Sequence, residues 1–342
     1  MTLARTAAER DGAATSRVRV LATGGTIAGQ AQSEVQPGYR AGEVGIAPLL
    51  DAVPGIRSLA RVTGEQFAQL GSQDVGDVFW LQLAERINAL FASDAADGVV
   101  VTHGTDTAEE TGYFLHLVIK SSRPVVLTGA MRPATSLSAD GPLNLYNAVA
   151  VAADPKAHGR GAILIINDDL HSVRDVTKSS TTDVQTFISP GLGLLGTARY
   201  GRIRYFRYPS RRHTVASELS SAGLERLPRV DILYAHADMP ADLVHASLAL
   251  GARGMVIAGV GNGNVPGNTA RALAEAAQAR VIVVRSTRVV SGDVGRNVEM
   301  DDDALGLIAA DQLNPQKSRV LLQLCLANGM DRGAVQEAFY HY

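Results

Sequence analysis

The sequence has 342 residues, of which 46% are hydrophobic and 19% charged, and its formal net charge is −2. At about 150 residues per domain this length predicts roughly two globular domains, and the composition excludes an intrinsically disordered chain. The near-neutral charge gives no electrostatic support for nucleic-acid binding, and no window of about 18 uncharged apolar residues predicts a membrane-spanning helix. The single cysteine, Cys325, excludes an intrachain disulfide and a thiolate metal site.

The first segment, residues 1–17, is polar and is expected to be a disordered N-terminal extension. It contains no apolar stretch of about 7–15 residues, so it does not read as a secretory signal. We therefore expect a cytoplasmic protein, with a periplasmic location as the alternative if a signal has been removed.

Short β-branched runs then alternate with longer amphipathic stretches, which is typical of parallel strands joined by crossover helices. The predicted strands, in chain order, are Val18–Ala22, Gly98–Thr102, Pro124–Thr128, Ala162–Ile166, Val230–Ala235, Gly254–Ala258 and Arg280–Arg285. The predicted helices are Asp77–Phe91, Thr107–Lys120, Gly141–Ala153, Pro240–Leu250, Asn268–Ala279, Lys317–Ala327 and Asp331–Tyr342. The predicted fold class is α/β, with a mostly parallel, helix-flanked sheet in a larger N-terminal domain and a smaller C-terminal α/β domain.

The domain boundary is predicted where strand signals thin out, between Arg202 and Pro228, in a polar stretch that contains two prolines. We expect an N-terminal domain over residues 18–207, a linker over residues 208–228 and a C-terminal domain over residues 229–342.

Glycine-rich turns follow several predicted strands, and in open α/β sheets ligands bind beyond the carboxyl ends of the strands. The four turns are Thr23-Gly24-Gly25-Thr26, His103-Gly104-Thr105-Asp106-Thr107, Gly129-Ala130-Met131-Arg132-Pro133 and Gly259–Asn264. Each turn alone reads most simply as a capped strand-to-helix connection. Two hydroxyl-bearing turns in one domain, one of them also carrying an aspartate, favour a site.

Several common catalytic motifs are absent from the sequence: a P-loop, a G-x-G-x-x-G dinucleotide fingerprint, H-E-x-x-H and G-x-S-x-G. The eight histidines show no metal-ligand spacing, and His103 is expected to be a surface or hydrogen-bonded residue rather than a ligand. The acidic run from Glu299 to Asp303 reads on its own as a solvated face.

What remains is hydroxyl chemistry, and a threonine hydroxyl is a poor nucleophile at neutral pH unless a neighbouring group takes its proton. Lys178 lies in Arg174–Lys178, a polar stretch after a predicted strand, and the chain has only four lysines. A solvent-facing cation is the usual role of a lysine, but one placed among threonine and aspartate side chains is a candidate base.

These turns resemble the two signatures of bacterial-type L-asparaginases, and further segments match in order with family-like spacing from about Arg17 to Tyr342. The resemblance lies in Leu21–Gly29, Thr102–Thr107, Gly129–Pro133, Ser138–Pro142, Asn144–Val149, Arg174–Lys178, Gly259–Asn264 and Leu313–Lys317. Unlike some type II relatives, the chain has no second cysteine for a disulfide.

The resemblance implies hydrolysis of L-asparagine to L-aspartate and ammonia through a threonine acyl-enzyme, without a metal or cofactor. It makes Thr26 the nucleophile, with the Tyr39 hydroxyl assisting its deprotonation. Thr105, Asp106 and Lys178 would form a second polar cluster, in which Lys178 holds Thr105 as an alkoxide-like or water-activating group. Which threonine attacks first is left open.

The resemblance also implies how the amino acid is held. The α-carboxylate would meet Ser72 and backbone amides, while Gln73, Asp106 and Glu299 would face the α-ammonium. Asn264 and Glu299 would reach the site of a neighbouring subunit in a homotetramer built as a dimer of intimate dimers. The complete substrate-binding set is Gly25, Ser72, Gln73, Thr105, Asp106, Asn264 and Glu299.

Two other functions stay open beside the asparaginase. Gln73 and Asn264 look like the asparagine-preferring type II enzymes, yet a broad-specificity glutaminase-asparaginase is the alternative within the class. A non-catalytic amino-acid-binding protein is the alternative outside it, although that interpretation leaves Thr26, Thr105 and Lys178 without a role. Ammonia release from asparagine separates these readings.

Overall fold

The computed structural model describes residues 15–31, 33 and 38–342. Residues 1–14 of the predicted N-terminal extension lie outside the described residues. Arg17, its last residue, begins the first strand, so this end of the extension is part of the sheet.

The strands are β1 (Arg17–Gly24), β2 (Gln30–Ala31), β3 (Tyr39–Arg40), β4 (Arg61–Leu70), β5 (Gly98–Thr102), β6 (Val125–Thr128), β7 (Ala162–Ile166), β8 (Asp169–Ser172), β9 (Thr177–Lys178), β10 (Phe187–Ile188), β11 (Gly196–Arg199), β12 (Arg202–Tyr205), β13 (Val230–Tyr234), β14 (Gly254–Gly259), β15 (Ile282–Thr287) and β16 (Ile308–Ala309). The helices are α1 (Ile46–Asp51), α2 (Ile56–Leu59), α3 (Asp77–Ala92), α4 (Ala108–Val118), α5 (Gly141–Ala153), α6 (Asp242–Ala249), α7 (Gly267–Gln278), α8 (Asp302–Leu305), α9 (Pro315–Ala327) and α10 (Arg332–His341). None of the helices among the described residues is long and apolar enough to cross a membrane.

The larger sheet has eight strands in the order β12-β11-β8-β7-β6-β5-β1-β4. The five strands from β4 to β7 are parallel, and β8, β11 and β12 continue the sheet antiparallel. Strands β5, β6 and β7 are buried along their whole length, because helices cover both faces of a parallel sheet. The carboxyl ends of β1, β5 and β6 therefore meet at one edge.

The smaller sheet consists of four parallel strands in the order β13-β14-β15-β16. The prediction of a mixed α/β fold with a larger N-terminal sheet and a smaller C-terminal one is confirmed.

Most predicted elements are present with ends shifted by one or two residues, but several strands were not predicted. The ten-residue strand β4 lies at the edge of the sheet and has a mixture of exposed and half-buried positions, so it lacks the continuous apolar run of its neighbours. Arg202–Tyr205, where strand signals were expected to thin out, forms β12.

The two sheets share an apolar core. One cluster of buried side chains includes Val101 of β5 and Val256 of β14, bridged by Leu115 of α4 and Leu321 of α9. Cys325 of α9 lies in the same cluster, and burial raises the pKa of its thiol to about 12. Helices α4 and α9 thus connect the two sheets.

Candidate active site

The turn after β1 places Thr26 at the edge where β1, β5 and β6 end. Gly24 and Gly25 have φ angles of 110° and 77°, in the left-handed region that favours glycine. A Cβ atom on Gly25 would lie 2.4 Å from the backbone nitrogen of Gly104. The turns after β1 and β5 are therefore in direct backbone contact.

Thr26 begins a single turn of 3-10 helix and is 7% exposed. Its Oγ1 lies 2.6 Å from the Tyr39 hydroxyl. Tyr39 belongs to β3, which pairs antiparallel with β2 immediately after this turn, and its ring covers Gly29. The pairing of β2 with β3 thus brings the phenol to the threonine.

The turn after β5 carries the second hydroxyl. Lys178 Nζ donates to Thr105 Oγ1 at 2.9 Å and to Asp106 Oδ1 at 2.6 Å. An ammonium group at this distance stabilises negative charge on the threonine oxygen, and the aspartate balances the positive charge of the lysine. Thr105 is buried, with Met131 Sδ 3.5 Å from its hydroxyl, whereas Asp106 is exposed.

Ser72 lies against this second turn. It is 4% exposed and follows β4, and a Cβ atom on Gly104 would lie 2.5 Å from Ser72 Oγ. The Thr107 hydroxyl donates to the Ser72 carbonyl at 2.8 Å. Gln73, the next residue, is exposed, with its amide folded against Gly71. The turns after β1, β4 and β5 therefore form one continuous surface.

Asn264 and Glu299 lie together in the smaller domain, where Asn264 Nδ2 donates to Glu299 Oε2 at 2.5 Å. Among the described residues, no hydrogen bond or ion pair joins either of them to Thr26, Thr105 or Lys178 of the same chain. Glu299 is exposed. The predicted site residues therefore form two groups, one around the threonines and one at Asn264 and Glu299, with no hydrogen bond or ion pair between the groups among the described residues.

A buried ion pair holds the loops that carry Asn264 and Glu299. Arg285 and Asp302 are both fully buried and joined by two hydrogen bonds, of 2.8 and 2.7 Å. Arg285 also donates to the carbonyls of Asn262 and Gly295. The acidic run from Glu299 to Asp303 is thus not a uniformly solvated face, because Asp302 is its interior anchor.

His103 is buried and hydrogen-bonded, as expected, with its Nε2 3.0 Å from Thr111 Oγ1 and its Nδ1 2.7 Å from the Gly104 carbonyl oxygen. Burial lowers the pKa of its imidazole to about 4. Within the part of the chain that the structure describes, no group of three or more His, Cys, Asp or Glu side chains could hold a metal ion.

Sequence reasoning did not single out the residues behind Lys178. Glu109 and Lys317 are buried, and the Thr177 hydroxyl donates to Glu109 Oε1 at 3.2 Å. The chain has only four lysines, and this scarcity, which made Lys178 a candidate, could also have drawn attention to Lys317.

Comparison with known families adds an independent finding. The family model described as "Asparaginase, N-terminal" matches residues 17–211, and the model described as "Glutaminase/Asparaginase C-terminal domain" matches residues 229–339.

Individual relatives agree over nearly the whole chain. A protein named "Probable L-asparaginase periplasmic" from Haemophilus influenzae is 50% identical, over 94% of this chain and 92% of its own length. "L-asparaginase 2" of Escherichia coli is 48% identical, over 95% of this chain and 93% of its own length. The crystal structure of a "Probable Cytoplasmic L-asparaginase" from Campylobacter jejuni superposes with a TM-score of 0.93 at 45% identity, covering 96% of this chain and all of that one.

Proposed function

Because the chain belongs to the asparaginase family, we propose that it hydrolyses L-asparagine to L-aspartate and ammonia. The observation that carries this function is the contact of Lys178 with both Thr105 and Asp106, beside a turn in which a phenol meets the Thr26 hydroxyl. The two hydroxyl groups have different partners, so they suit different steps of an amide hydrolysis.

Thr26 is the nucleophile in this mechanism. Its Oγ1 forms a bond to the side-chain carbonyl carbon of asparagine while its proton passes to the Tyr39 hydroxyl, which gives up its own proton in turn towards the substrate nitrogen. Backbone N–H groups of the glycine turns stabilise the oxyanion. The C–N bond then breaks, the nitrogen takes up the proton and leaves as ammonia, and an aspartyl ester of Thr26 remains.

Water completes the reaction at the second cluster. The Thr105 oxygen, which Lys178 holds in an alkoxide-like state, accepts a proton from a water molecule as that water attacks the ester carbon. The ester bond to Thr26 breaks, and the Thr26 oxygen takes up the proton that Thr105 accepted from water, so both threonines return to their starting states. Aspartate is released, and no oxidant, reductant or metal is needed to balance these steps.

The α-carboxylate and the α-ammonium group of the substrate need partners of opposite charge or polarity. Ser72 and the backbone amides around Gly25 suit the α-carboxylate, because Ser72 lies against Gly104 within the same surface. Gln73 and Asp106 are exposed next to it and suit the α-ammonium.

Glu299 and Asn264 complete the ammonium side from a second subunit in this proposal. Two observations support it: among the described residues the pair makes no hydrogen bond or ion pair with the threonine groups of its own chain, and Val289, Val290 and Val298 expose apolar side chains on the neighbouring loops. Exposed apolar surface of this kind is typical of a subunit contact. We expect a homotetramer built from intimate dimers.

Specificity follows from Gln73 and Asn264, which match the asparagine-preferring pattern. Glutamine is longer by one methylene, and a pocket distinguishes such a difference by only about 1–3 kcal/mol. We therefore expect weaker but measurable glutaminase activity, and equal kcat/KM for the two amides would favour the broad-specificity alternative.

The test is ammonia release from asparagine and glutamine by the purified protein. We expect Thr26→Ala and Thr105→Ala each to lower kcat at least roughly 10³-fold without loss of fold, because each removes a group that changes bonds or moves a proton. Thr63→Ala, on the exposed edge strand β4, is the matched control and should retain full activity. A folded wild-type protein that binds asparagine but releases no ammonia would instead be an amino-acid-binding protein.

A further inference from the structure

Lys178 is part of a strand of two residues, β9, whose ladder partner is the equally short β10. Two residues of pairing hold a strand weakly compared with the five parallel strands of the main sheet. The position of the Lys178 side chain therefore depends on what holds the segment Arg174–Lys178 from behind.

Lys317 holds the backbone of this segment. Its Nζ donates to the carbonyl oxygen of Arg174 at 2.8 Å and to that of Val176. Lys317 is 2% exposed and lies in the first turn of α9, so the contact comes from the C-terminal part of the chain.

Glu109 holds the neighbouring side chain. It lies at the start of α4, directly after the turn that carries Thr105, and it is 5% exposed. Its Oε1 accepts hydrogen bonds from Thr177 at 3.2 Å and from Gln316 at 3.1 Å. Its Oε2 lies 2.8 Å from Asn314 Nδ2 and 3.5 Å from Lys317 Nζ.

We propose that Glu109 and Lys317 are a positioning pair that holds Lys178 against Thr105. The inference rests on the proposed role of Lys178. Glu109 is rigidly joined through α4 to the Thr105 turn, and Lys317 grips the backbone that leads to Lys178, so the pair fixes both partners of the 2.9 Å contact. A buried ion pair adds little to stability compared with an apolar pair of similar volume, which is consistent with a role in geometry.

The first test uses Thr177, which connects Lys178 to Glu109. Thr177→Val keeps the shape of the side chain and removes the hydroxyl, and we expect kcat to fall about five- to tenfold with KM nearly unchanged. Thr177→Ser restores the hydroxyl and should restore kcat. Equal losses in both variants, or no loss in either, would overturn the proposal.

The second test removes the pair without leaving an unbalanced buried charge. We expect the double variant Glu109→Gln/Lys317→Met to lose about 100-fold in kcat, since a misplacement of about 1 Å has that effect, while KM for asparagine changes little. If this variant folds and assembles like the wild type but keeps kcat within about twofold, the proposal is wrong. If it does not fold, the Thr177 variants decide.

Lys120→Met is the matched control. Lys120 is an exposed lysine, but its Nζ likewise donates to two backbone carbonyls, those of Ser217 and Leu219, and it has no hydrogen bond to the Lys178 segment among the described residues. Its kcat should equal that of the wild type. An inactive wild-type protein in the same assay would contradict the proposed function, whereas an active wild type with fully active variants would contradict only the positioning pair.

Discussion

Thr26 and Thr105 are the same amino acid with opposite surroundings. The Thr26 oxygen lies 2.6 Å from a phenol, a weak acid that can relay a proton, whereas the Thr105 oxygen accepts from an ammonium group. A relay suits a hydroxyl that must lose its proton and form a bond, and a fixed positive charge suits one that must carry partial negative charge. The partners therefore assign the two roles.

Tyr39→Phe tests the relay at this scale. The variant keeps the ring over Gly29 and removes the group that contacts Thr26, so we expect kcat to fall about 10²-fold or more with a small change in KM. Steady-state ammonia release measures both constants. Tyr200→Phe, at a tyrosine that is 77% exposed, should have no effect. Full activity of Tyr39→Phe would remove the phenol from the mechanism.

Individual residues were predictable from the sequence to an uneven degree. Thr105, Asp106 and Lys178 were predicted to form one cluster, and the structure brings them together. Thr105 and Asp106 follow β5 of the larger sheet, and Lys178 lies on β9, which comes after β8 of the same sheet. Glu109 and Lys317 were not singled out, because charged residues in amphipathic helices usually face solvent. Only the packing of α4 on α9 shows that these two face each other in the interior.

At the scale of the elements, buried strands were predictable from the sequence, whereas edge strands and very short strands were not. Buried strands such as β5 have apolar runs that the sequence displays directly. Edge strands such as β4 and β12 have polar, half-exposed patterns, so their pairing is decided by neighbours distant in the chain rather than by local sequence. The same holds for β9, which carries Lys178 and has only two residues.

Gly25→Ala tests the contact between the first two turns. A side chain at φ 77° costs about 1–2 kcal/mol, and its Cβ would also collide with the Gly104 backbone. We expect a lower unfolding midpoint and a loss of most activity, because the collision separates Thr26 from the second turn. Gly159→Ala is the matched control, since Gly159 has φ 71° and no atom within 4 Å of the added Cβ. Its stability should fall by the conformational cost alone, with activity retained.

At the scale of the whole molecule, the two sheets share one apolar core through α4 and α9. Their shared apolar cluster, together with the buried Glu109–Lys317 contact, joins the two regions that the sequence predicts as separate domains. The predicted linker, residues 208–228, is also held in place, since Lys120 donates to two of its carbonyls and Asp77 accepts from the backbone amide of its Leu227. The domain boundaries themselves stay a prediction.

The lowered pKa values of the buried histidines predict that the stability of the fold depends on pH. Burial lowers the pKa of His103 and of His171 to about 4, whereas a histidine in an unfolded chain titrates near about 6.5. The unfolded chain therefore binds protons first as the pH falls from about 6.5 to about 4, and the free energy of unfolding decreases across that window.

Urea unfolding at about pH 7.5 and at about pH 5 measures this loss. His171→Gln should show a smaller difference between the two conditions than the wild type, while His158→Gln, at an exposed histidine, should match the wild type. A wild-type stability that does not change between these conditions would contradict the prediction.

The proposed placement of Asn264 and Glu299 in the site of a neighbouring subunit predicts how mixed assemblies behave. Thr105→Ala and Glu299→Ala subunits should each have little activity alone. Co-expressed, they should regain up to about a quarter of wild-type activity, because one site of each mixed dimer then combines two intact halves. Activity equal to the average of the separate preparations would show that each chain forms its own complete site.

The enclosed thiol of Cys325 has a practical consequence for the chemist. Since it is both inaccessible and un-ionised near neutral pH, alkylating reagents should leave the native protein unmodified. A cysteine introduced at Gln30, which is exposed beside the Thr26 turn, would then be the sole point of attachment for a fluorescent dye. Such a conjugate would let the arrival of an amino acid be followed optically, without mutating any native sulfur.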